Sequence, residues 1–431
     1  MIFWKTFYNL LVVPILWLSF HALGMFNAKA RQAFRGRRGL FEKLEKEIQR
    51  LPADRNRVWF HVSSLGEFEQ AKPIIAALKK QDPDIQIVVT FFSPSGYNHS
   101  LNYKFADIIS YIPFDSSRNA KKFIQLIKPD VVVFIRYDIW PNHLWAARRN
   151  NIPVMVVSAT LQITKVRRLP VIRQFQELLY GDLSYILTVS EIDKQAFQTY
   201  RLPKSVVEVI GDTRYDQVWM RSEESKQRHI LQPHIVNNKK VFVIGSSWRE
   251  DEKVLIPALI RLYRHYSDLL VIFVPHEPTV ENLERIESEL NGNISFIRFS
   301  NLGDYNGEDV IVIDSVGILM TLYNYAHMAY VGGSFRNGIH NVLEPASYGI
   351  PVVFGPKHEN SQEAVALVRV GAAYVGSDED ELFFQINLLL KDDVRRVASG
   401  KKASSFVDQN RGATRKFLEY LEKAMKGNDH L

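Results

Sequence analysis

The sequence contains no cysteine among its 431 residues. Disulfide bonds and thiolate metal sites are therefore excluded, which fits a reducing compartment. Internal repeats and low-complexity tracts are also absent. With 23% charged and 46% hydrophobic residues the composition is that of a globular protein, and the length suggests two domains. The net charge of +7 is compatible with nucleic acid, an anionic membrane or acidic small substrates, and charge alone does not choose among them.

Charged side chains are missing from residues 6–24, a stretch of nineteen residues near the N-terminus. An α-helix needs about 20 apolar residues to cross the bilayer core. The next stretch, residues 27–50, has eight basic and three acidic residues, and basic flanks mark the cytoplasmic side. We therefore predict a membrane anchor over residues 1–26, single-pass or monotopic, with the rest of the chain in the cytoplasm. Polar residues inside the stretch leave an interfacial helix open, and a cleaved signal peptide is the competing interpretation.

The remaining sequence alternates short β-branched runs with helical segments, the pattern of βαβ units and parallel sheets. The first series of runs covers residues 58–63, 85–90, 107–112, 131–135, 154–158, 185–190 and 206–210, and the second covers 241–245, 270–274, 294–298, 310–313, 329–331 and 352–354.

This pattern predicts an α/β fold of two doubly wound, Rossmann-like domains. The first domain is predicted over residues 27–210, a linker over 211–240 and the second domain over 241–431. The last helix, about residues 404–426, has no strand to precede and could pack back on the first domain. Ligands in such folds bind at the carboxyl ends of the strands, so a cleft between the two domains is the expected active site.

Three polar clusters follow strands of the first domain. Glu67 ends the sequence HVSSLGE at a predicted helix start, where a carboxylate acts as a general base or merely complements the helix dipole. Asp138, in RYDIWPN, lies on the same rim, with a helix N-cap as the alternative. Arg214, in GDTRYD, suits a departing phosphate or the carboxylate of an acidic sugar, and the alternative is a solvated arginine.

Small residues and turns end the strands of the second domain, notably at Ser246 in GSSW and at Pro275 and His276 in PHEP. The most informative segment is GGSFRNGIHNVLEPA at residues 332–346, followed by GIPVVFGP at 349–356. Its glycine-rich loop leads into a helix start, where backbone N–H groups bind phosphate. One turn further, Glu344 suits the hydroxyls of a nucleotide ribose.

These motifs together resemble the transferases of Kdo (3-deoxy-D-manno-octulosonic acid), which are bacterial glycosyltransferases of the two-Rossmann GT-B architecture. The membrane stretch, SxGE at 64–67, WPN at 140–142 and HNxLEPA at 340–346 occur in the family's order and span nearly the whole chain. The resemblance implies an inverting transfer of Kdo from CMP-Kdo to a lipid A precursor. It places the enzyme with the lipids of the inner membrane, in lipopolysaccharide core biosynthesis, with no cofactor and no nucleic acid partner.

The resemblance also implies roles for individual residues. In the family the acid of SxGE activates the acceptor, which implies that role for Glu67; Asp138 and Arg214 complete our catalytic candidates. The predicted CMP contacts are Pro275, His276, Val316, Gly317, Ile318, Asn341, Val342, Leu343 and Glu344, and the strand-end and glycine loops add Ser246, Gly333 and Ser334 as substrate-binding candidates.

The sequence departs from the family pattern at several positions. Arg136 and Asp138 stand where the family often has the two glutamates of ExELWPN. Arg214 replaces a frequent lysine and keeps its charge, although the two side chains are not equivalent. Ile339 replaces the glycine before HN.

The sequence also bears on metal binding and on two rival functions. Asp-x-Asp patterns at 82–84 and 378–380 match the metal motif of other sugar transferases, but both are in polar turns, so no metal site is predicted. One rival is another GT-B nucleotide-sugar enzyme, such as an N-acetylglucosamine epimerase or a glycogen-type synthase. The other is a non-catalytic membrane protein that binds lipid.

Overall fold

The structure, a computed structural model, describes residues 2–427. Met1 and residues 428–431, the extremes of the predicted anchor and of the predicted second domain, lie outside the described residues. The chain divides into two compact units, Met1–Gln217 with Arg411–Leu431 and Val218–Asn410.

Each unit contains a seven-stranded parallel sheet, in the order β3-β2-β1-β4-β5-β6-β7 in the first and β10-β11-β9-β8-β12-β13-β14 in the second. The strands are β1 Arg57–Val62, β2 Gln86–Phe91, β3 Ile108–Tyr111, β4 Val131–Ile135, β5 Val154–Ala159, β6 Tyr185–Thr188, β7 Val206–Val209, β8 Lys240–Ser247, β9 Leu269–Pro275, β10 Phe296–Arg298, β11 Val310–Val312, β12 Met328–Val331, β13 Val352–Phe354 and β14 Ala373–Val375. The predicted α/β class with two doubly wound sheets is confirmed.

Helices connect the strands. They are α1 Ile2–Phe7, α2 Val13–Phe26, α3 Ala28–Gly36, α4 Leu40–Ile48, α5 Leu65–Gln81, α6 Pro94–Ser100, α7 Ser117–Ile127, α8 Pro141–Arg149, α9 Pro170–Gly181, α10 Glu191–Gln198, α11 Thr213–Lys226, α12 Pro233–Val236, α13 Arg249–Tyr263, α14 Val280–Leu290, α15 Leu319–Leu322, α16 Leu343–Ser347, α17 Gln362–Arg369, α18 Glu379–Lys391, α19 Asp393–Gln409 and α20 Ala413–Lys426. Short 3₁₀ helices cover Val166–Arg168, Phe299–Asp304 and Tyr323–Tyr325.

The central strands are buried on both faces, which explains their continuous apolar runs. In β1, Trp59 packs into the hydrophobic core on one face of the sheet, whereas Val58 and Phe60 pack into the core on the other face. In β8, Phe242 and Val243 likewise point to opposite cores. Side chains alternate between faces because the strand repeat is two residues, so each sheet separates two layers of helices.

The predicted last helix over residues 404–426 is wrong as one element, because α19 ends at Gln409 and α20 begins at Ala413. Gly412 adopts φ 105°, a left-handed conformation that favours glycine. The Asp216 carboxylate accepts hydrogen bonds from the N–H groups of Gly412 and Thr414, at 2.8 and 2.7 Å, and so caps α20. Helix α19 packs on α16 in the second unit, and α20 packs on α5 in the first.

The N-terminal helix consists of α1, a π-helical turn at Tyr8–Val12 and α2. The π turn immediately precedes Pro14, which has no N–H to donate within the helix. Among residues 2–427, one helix, Phe3–Phe26, is long and apolar enough to cross a membrane, judged by length and composition.

Candidate functional site

Glu67 occupies the first turn of α5, directly after β1 at the point where strand order reverses in the first sheet. Ser64 is the N-cap of this helix. Its backbone N–H donates to Glu67 Oε2 at 2.7 Å, and its hydroxyl donates to the same oxygen at 2.5 Å. This arrangement is a capping box, which fixes the carboxylate at the helix start. The side chain is nearly buried, at 9% exposure, and both hydrogen bonds described for it use Oε2.

Asp138 follows β4, the strand that neighbours β1 in the sheet. Its Oδ2 lies 3.6 Å from Nε2 of the fully buried His61, which is too long for a hydrogen bond. Burial lowers the pKa of His61, against an opposing effect of Asp138, so the imidazole is neutral near pH 7. His61 Nδ1 lies 2.9 Å from Thr90 Oγ1. The two facing atoms, Nε2 and Oδ2, are buried with no hydrogen-bond partner within the described chain.

Arg214 lies at the start of α11 and is paired with a nearby acid. Its Nε donates to Asp212 Oδ2 at 2.8 Å, and Nη2 lies 2.6 Å from the same oxygen. Asp212 is buried, whereas the arginine side chain is 42% exposed. The guanidinium is therefore partly solvated, as in the alternative interpretation, and is also held at the strand end by this ion pair.

In the second unit, three rings from three strand ends form a stack. Trp248 follows β8, His276 follows β9 and His340 follows β12. The centroids of Trp248 and His276 are 4.3 Å apart, and those of His276 and His340 are 4.5 Å apart with an interplanar angle of 13°. The Trp248 indole N–H donates to His340 Nε2 at 2.7 Å. Of these rings only His276 was predicted from the sequence. The available signals were the position of Trp248 directly after β8 and the place of His340 at the start of HNxLEPA.

The glycine loop after β12 is held by the buried carboxylate of Asp251, which was not among the residues predicted from the sequence. Asp251, at the third position of α13, accepts hydrogen bonds from the backbone N–H groups of Trp248 and Gly333 at 2.9 and 2.8 Å, and from the Tyr330 hydroxyl at 2.8 Å. Ser334 is buried, and its hydroxyl accepts from the Gly355 N–H at 2.6 Å. An acid at the start of a helix was the sequence signal for this role.

The loop also approaches β8 closely. A Cβ on Gly332 would lie 2.2 Å from the carbonyl oxygen of Ser246, so only glycine fits there. Ser246 itself has φ 54°, and Gly333 has φ 97°. A non-glycine residue at positive φ is strained and is maintained by its surroundings. These two strand ends meet where the strand order of the second sheet reverses, which is where ligands bind in such folds.

The remaining predicted ligands belong to two further turns. Asn341 is exposed, and its Oδ1 accepts from the Leu343 N–H at 3.1 Å as α16 begins. Its amide donates to Glu344 Oε1 at 3.3 Å, and Arg221 Nη1 lies 3.6 Å from the same oxygen. Val342, like Leu343, is buried, so its side chain packs in the protein interior. The turn of Val316, Gly317 and Ile318 follows β11, with Val316 and Gly317 exposed and Ile318 partly buried.

A cavity of about 220 Å³ adjoins Trp248 and Pro275. Its wall includes Arg285 and the buried Glu252, whose carboxylate oxygens are 2.5 Å from Arg285 Nη2 and 2.9 Å from the Ser247 hydroxyl. Burial raises the pKa of Glu252, opposed by these two partners. This pair shapes the wall next to the ring stack.

The two Asp-x-Asp segments have other partners. Asp84 pairs with Arg55 at 2.9 Å. Asp378 caps α18 through its Oδ1, and Asp380 lies 2.6 Å from Arg261. Within the described part of the chain, no group of three His, Asp or Glu side chains is placed to hold a metal ion.

Comparison with known proteins finds similarity to one family of transferases. Residues 32–217 match the family described as 3-deoxy-D-manno-octulosonic-acid transferase (kdotransferase). The chain is 26% identical to the 3-deoxy-D-manno-octulosonic acid transferase of Haemophilus influenzae over 438 aligned positions, covering 99% of this chain and 100% of that protein. It is 28% identical to the enzyme of the same name from Chlamydophila psittaci over 364 positions, covering 82% of each.

Among solved structures, the UDP-GlcNAc 2-epimerase from Neisseria meningitidis bound to UDP-GlcNAc aligns with a TM-score of 0.60. The alignment covers 85% of this chain and 100% of that chain at 18% identity. At this identity the likeness shows the fold alone, and it confirms the predicted GT-B architecture.

Proposed function

We propose that this chain is a member of the Kdo transferase family, to which residues 32–217 are similar, and that it transfers Kdo from CMP-Kdo to a lipid A precursor with inversion at the anomeric carbon. The observation that carries the proposal is the placement of Glu67 by its capping box at the end of β1. A carboxylate fixed at a strand end is positioned to take a proton from an incoming hydroxyl. The proposed products are CMP and the lipid with one added Kdo residue.

In the proposed step, the acceptor hydroxyl attacks the anomeric carbon of Kdo as its proton passes to Glu67. The new carbon–oxygen bond forms while the bond to the CMP phosphate breaks, so one direct displacement inverts the configuration and needs no covalent intermediate. We assign the proton to Oε1, because both described hydrogen bonds of the carboxylate go to Oε2.

Two further residues of the first unit are proposed to support this step. Arg214, held by Asp212, supplies the positive charge that stabilises the departing phosphate. Asp138, opposite the neutral His61, has one oxygen without a partner among the described groups and is proposed to hold a substrate hydroxyl or a water.

The donor is proposed to bind the second unit. Cytidine is assigned to the side of Pro275, His276 and Gly317, and the phosphate to the helix start at Asn341. The glycine loop of Gly333 and Ser334, together with Ser246, is proposed to line the sugar and phosphate, with the Gly333 N–H itself bound to Asp251. The rigid hold of Asp251 on this loop supports such a role, because a binding loop that is already ordered loses less entropy when the ligand binds.

The test is Glu67→Gln, which keeps the size of the side chain and its acceptor oxygen for Ser64 but cannot take the proton. We expect turnover to fall by about 10²–10⁴-fold. CMP-Kdo binding should stay near wild type, since the donor site is assigned to the other unit. Glu69→Gln, two positions further along the same helix, is the matched control. The Glu69 carboxylate is bound to Lys72, so this variant should retain activity.

The capping box makes the melting temperature an essential second measurement. If Glu67 served the helix alone, Glu67→Gln would lose only the interaction of the charge with the helix dipole, roughly 0.3–1 kcal/mol of stability, and would leave turnover near normal. Normal turnover in a folded variant would therefore reject the catalytic role. Absence of CMP release by the wild-type protein with CMP-Kdo and acceptor would reject the transferase in favour of another nucleotide-sugar enzyme or a lipid-binding protein.

A further inference from the structure

The N-terminal helix is bound to the first unit near both of its ends. Near its start, the Tyr8 ring stacks on Phe175 with centroids 5.8 Å apart and meets Trp145 edge-on at 5.7 Å. Near its end, Phe20 lies 4.7 Å from Phe34 and 5.5 Å from Phe92. These contacts reach α9, α8, α3 and the loop after β2, so the helix lies along the unit rather than projecting from it.

Polar contacts fix the same face. The Tyr8 hydroxyl donates to Asp115 Oδ2 at 2.8 Å, inside the protein. Asn9 and Asn142 exchange two side-chain hydrogen bonds at 3.0 Å each. Asp115 is itself buried and accepts from the backbone N–H groups of Asn142 and His143 at 3.2 Å, at the start of α8. The helix is therefore joined to the WPN turn that lies beside Asp138.

These contacts are incompatible with a helix that spans the bilayer. Tyr8 and Phe20 are twelve residues apart, about 18 Å along a helix at 1.5 Å per residue, whereas the hydrocarbon core is about 30 Å thick. A spanning helix would have to leave the unit and break both sets of contacts. Asp115 would then lose a buried hydrogen bond, and Tyr8 and Asn9 would face lipid without partners, which is costly.

Away from these contacts the helix is apolar and exposed. Leu10 is 75% exposed, Leu18 is 60% exposed and Phe26 is 88% exposed. Further exposed apolar side chains on the helix are Phe3, Phe7, Leu11, Ile15, Leu16, Trp17, Leu23 and Met25. Such a continuous apolar surface is far beyond the scattered single residues of an ordinary protein surface and marks an interaction site.

Charge identifies the partner of this surface. The helix leads into α3 and its following turn, where Lys29, Arg31, Arg35 and Arg38 are exposed. Exposed cations beside an apolar helix attract it to the anionic lipids of a membrane surface. Arg37 does not belong to this group, because its guanidinium donates to the carbonyls of Ile112, Ala33 and Phe92.

We propose that the N-terminal helix lies in the plane of the membrane, with its outer face in an anionic lipid surface and its inner face bound to the first unit through Tyr8 and Asn9. Of the two anchors that the sequence left open, this selects the monotopic one. It rests on the membrane location in the proposed function and specifies how the helix lies there. Its test measures the side of the membrane on which each position is exposed, not catalytic activity.

The test uses the absence of cysteine in the chain, so that each engineered cysteine is unique. Thr6→Cys and Ala28→Cys place thiols at exposed positions near the two ends of the helix. A membrane-impermeant maleimide is added to sealed spheroplasts, and to the same cells after detergent treatment as the labelling control. We expect neither position to react from outside. Reaction at position 6 from outside, with position 28 protected, would overturn the proposal.

The outcomes separate this inference from the proposed function. Reaction of both positions from outside would keep the in-plane helix but reject the cytoplasmic location of the catalytic units. Protection of both positions with normal Kdo transfer supports both statements. Protection of both with no transfer supports the helix and counts against the enzyme.

A second experiment tests lipid as the occupant of the outer face. Full-length protein is sedimented with vesicles of equal parts phosphatidylcholine and phosphatidylglycerol. Leu10→Glu combined with Leu18→Glu should weaken binding at least about 100-fold, because each buried leucine contributes roughly tenfold or more. Val394→Glu, an equally exposed apolar position in the second unit, should bind as wild type. Wild-type protein that stays in the supernatant as a dimer would overturn the proposal in favour of a second copy as the occupant.

Discussion

Protonation of His340, in the ring stack of the second unit, makes the stability of the fold depend on pH. His340 Nε2 accepts the indole N–H of Trp248, so that nitrogen carries no proton in the folded protein. Burial lowers the pKa of His340, and the neighbouring His276 lowers it further. The unfolded histidine has a pKa near 6.5. The unfolded chain therefore binds more protons below that pH, and stability that is present above about pH 6.5 is lost as the pH falls through the lower folded pKa.

We accordingly expect the melting temperature of the wild type to fall between pH 7 and pH 5. His340→Gln keeps an acceptor oxygen for the Trp248 indole but has no proton to gain, so its melting temperature should fall less over the same range. His61, whose pKa is also lowered by burial, is common to both proteins and cancels in the comparison. Parallel pH profiles for the two proteins would show that the stack does not titrate as described.

The buried Asp251 offers a second test at the level of one residue. Its two oxygens face the N–H donors of Trp248 and Gly333 and the Tyr330 hydroxyl. Asp251→Asn would turn an NH₂ group toward one of these donors, so we expect a loss of about 1–3 kcal/mol in the free energy of unfolding, read from denaturant titration. The adjacent, exposed Glu250→Gln should change stability little; an equal loss in both variants would contradict the role assigned to Asp251.

At the scale of elements, the loop after β12 can pack against the end of β8 only because Gly332 has no side chain. Gly332→Ala would bring a Cβ within 2.2 Å of the Ser246 carbonyl, and a backbone atom cannot move aside as a flexible side chain can. We expect a destabilisation of about 1–3 kcal/mol together with weaker CMP-Kdo binding, measured by calorimetry. Gly303→Ala is the control, because no heavy atom lies within 4 Å of a Cβ there. Unchanged donor affinity in Gly332→Ala would remove this loop from the donor site.

At the scale of the whole molecule, the reaction is expected to need no metal ion. Asp84 and Asp380 pair with arginines, Asp378 caps a helix and Asp82 accepts the Asp84 N–H. The glycine loop and Arg214 offer other groups for phosphate. Transfer activity should therefore be the same in EDTA and in magnesium. Loss of activity in EDTA that magnesium restores would contradict the prediction.

The sequence by itself determined the two sheets and the strand ends that carry the candidate site. Buried strands consist of β-branched runs, so thirteen strands were recognisable, whereas β14, Ala373–Val375, has a single β-branched residue and was missed. The local sequence likewise predicted the helix start at Glu67 and the glycine loop. Each of these features depends on residues that are neighbours along the chain.

The tertiary structure alone decided how the N-terminal helix is used, which ring partners Trp248 and where the last helix breaks. Tyr8 meets Asp115, Trp248 meets His340 and Asp216 meets Gly412 across separations of 107, 92 and 196 residues. Composition shows that a helix is apolar enough for a membrane, but only packing shows that one of its faces is already occupied by protein. The physical reason is that hydrogen bonds and ring contacts depend on distance in space, which the folding of the sheets sets and the order of residues does not show.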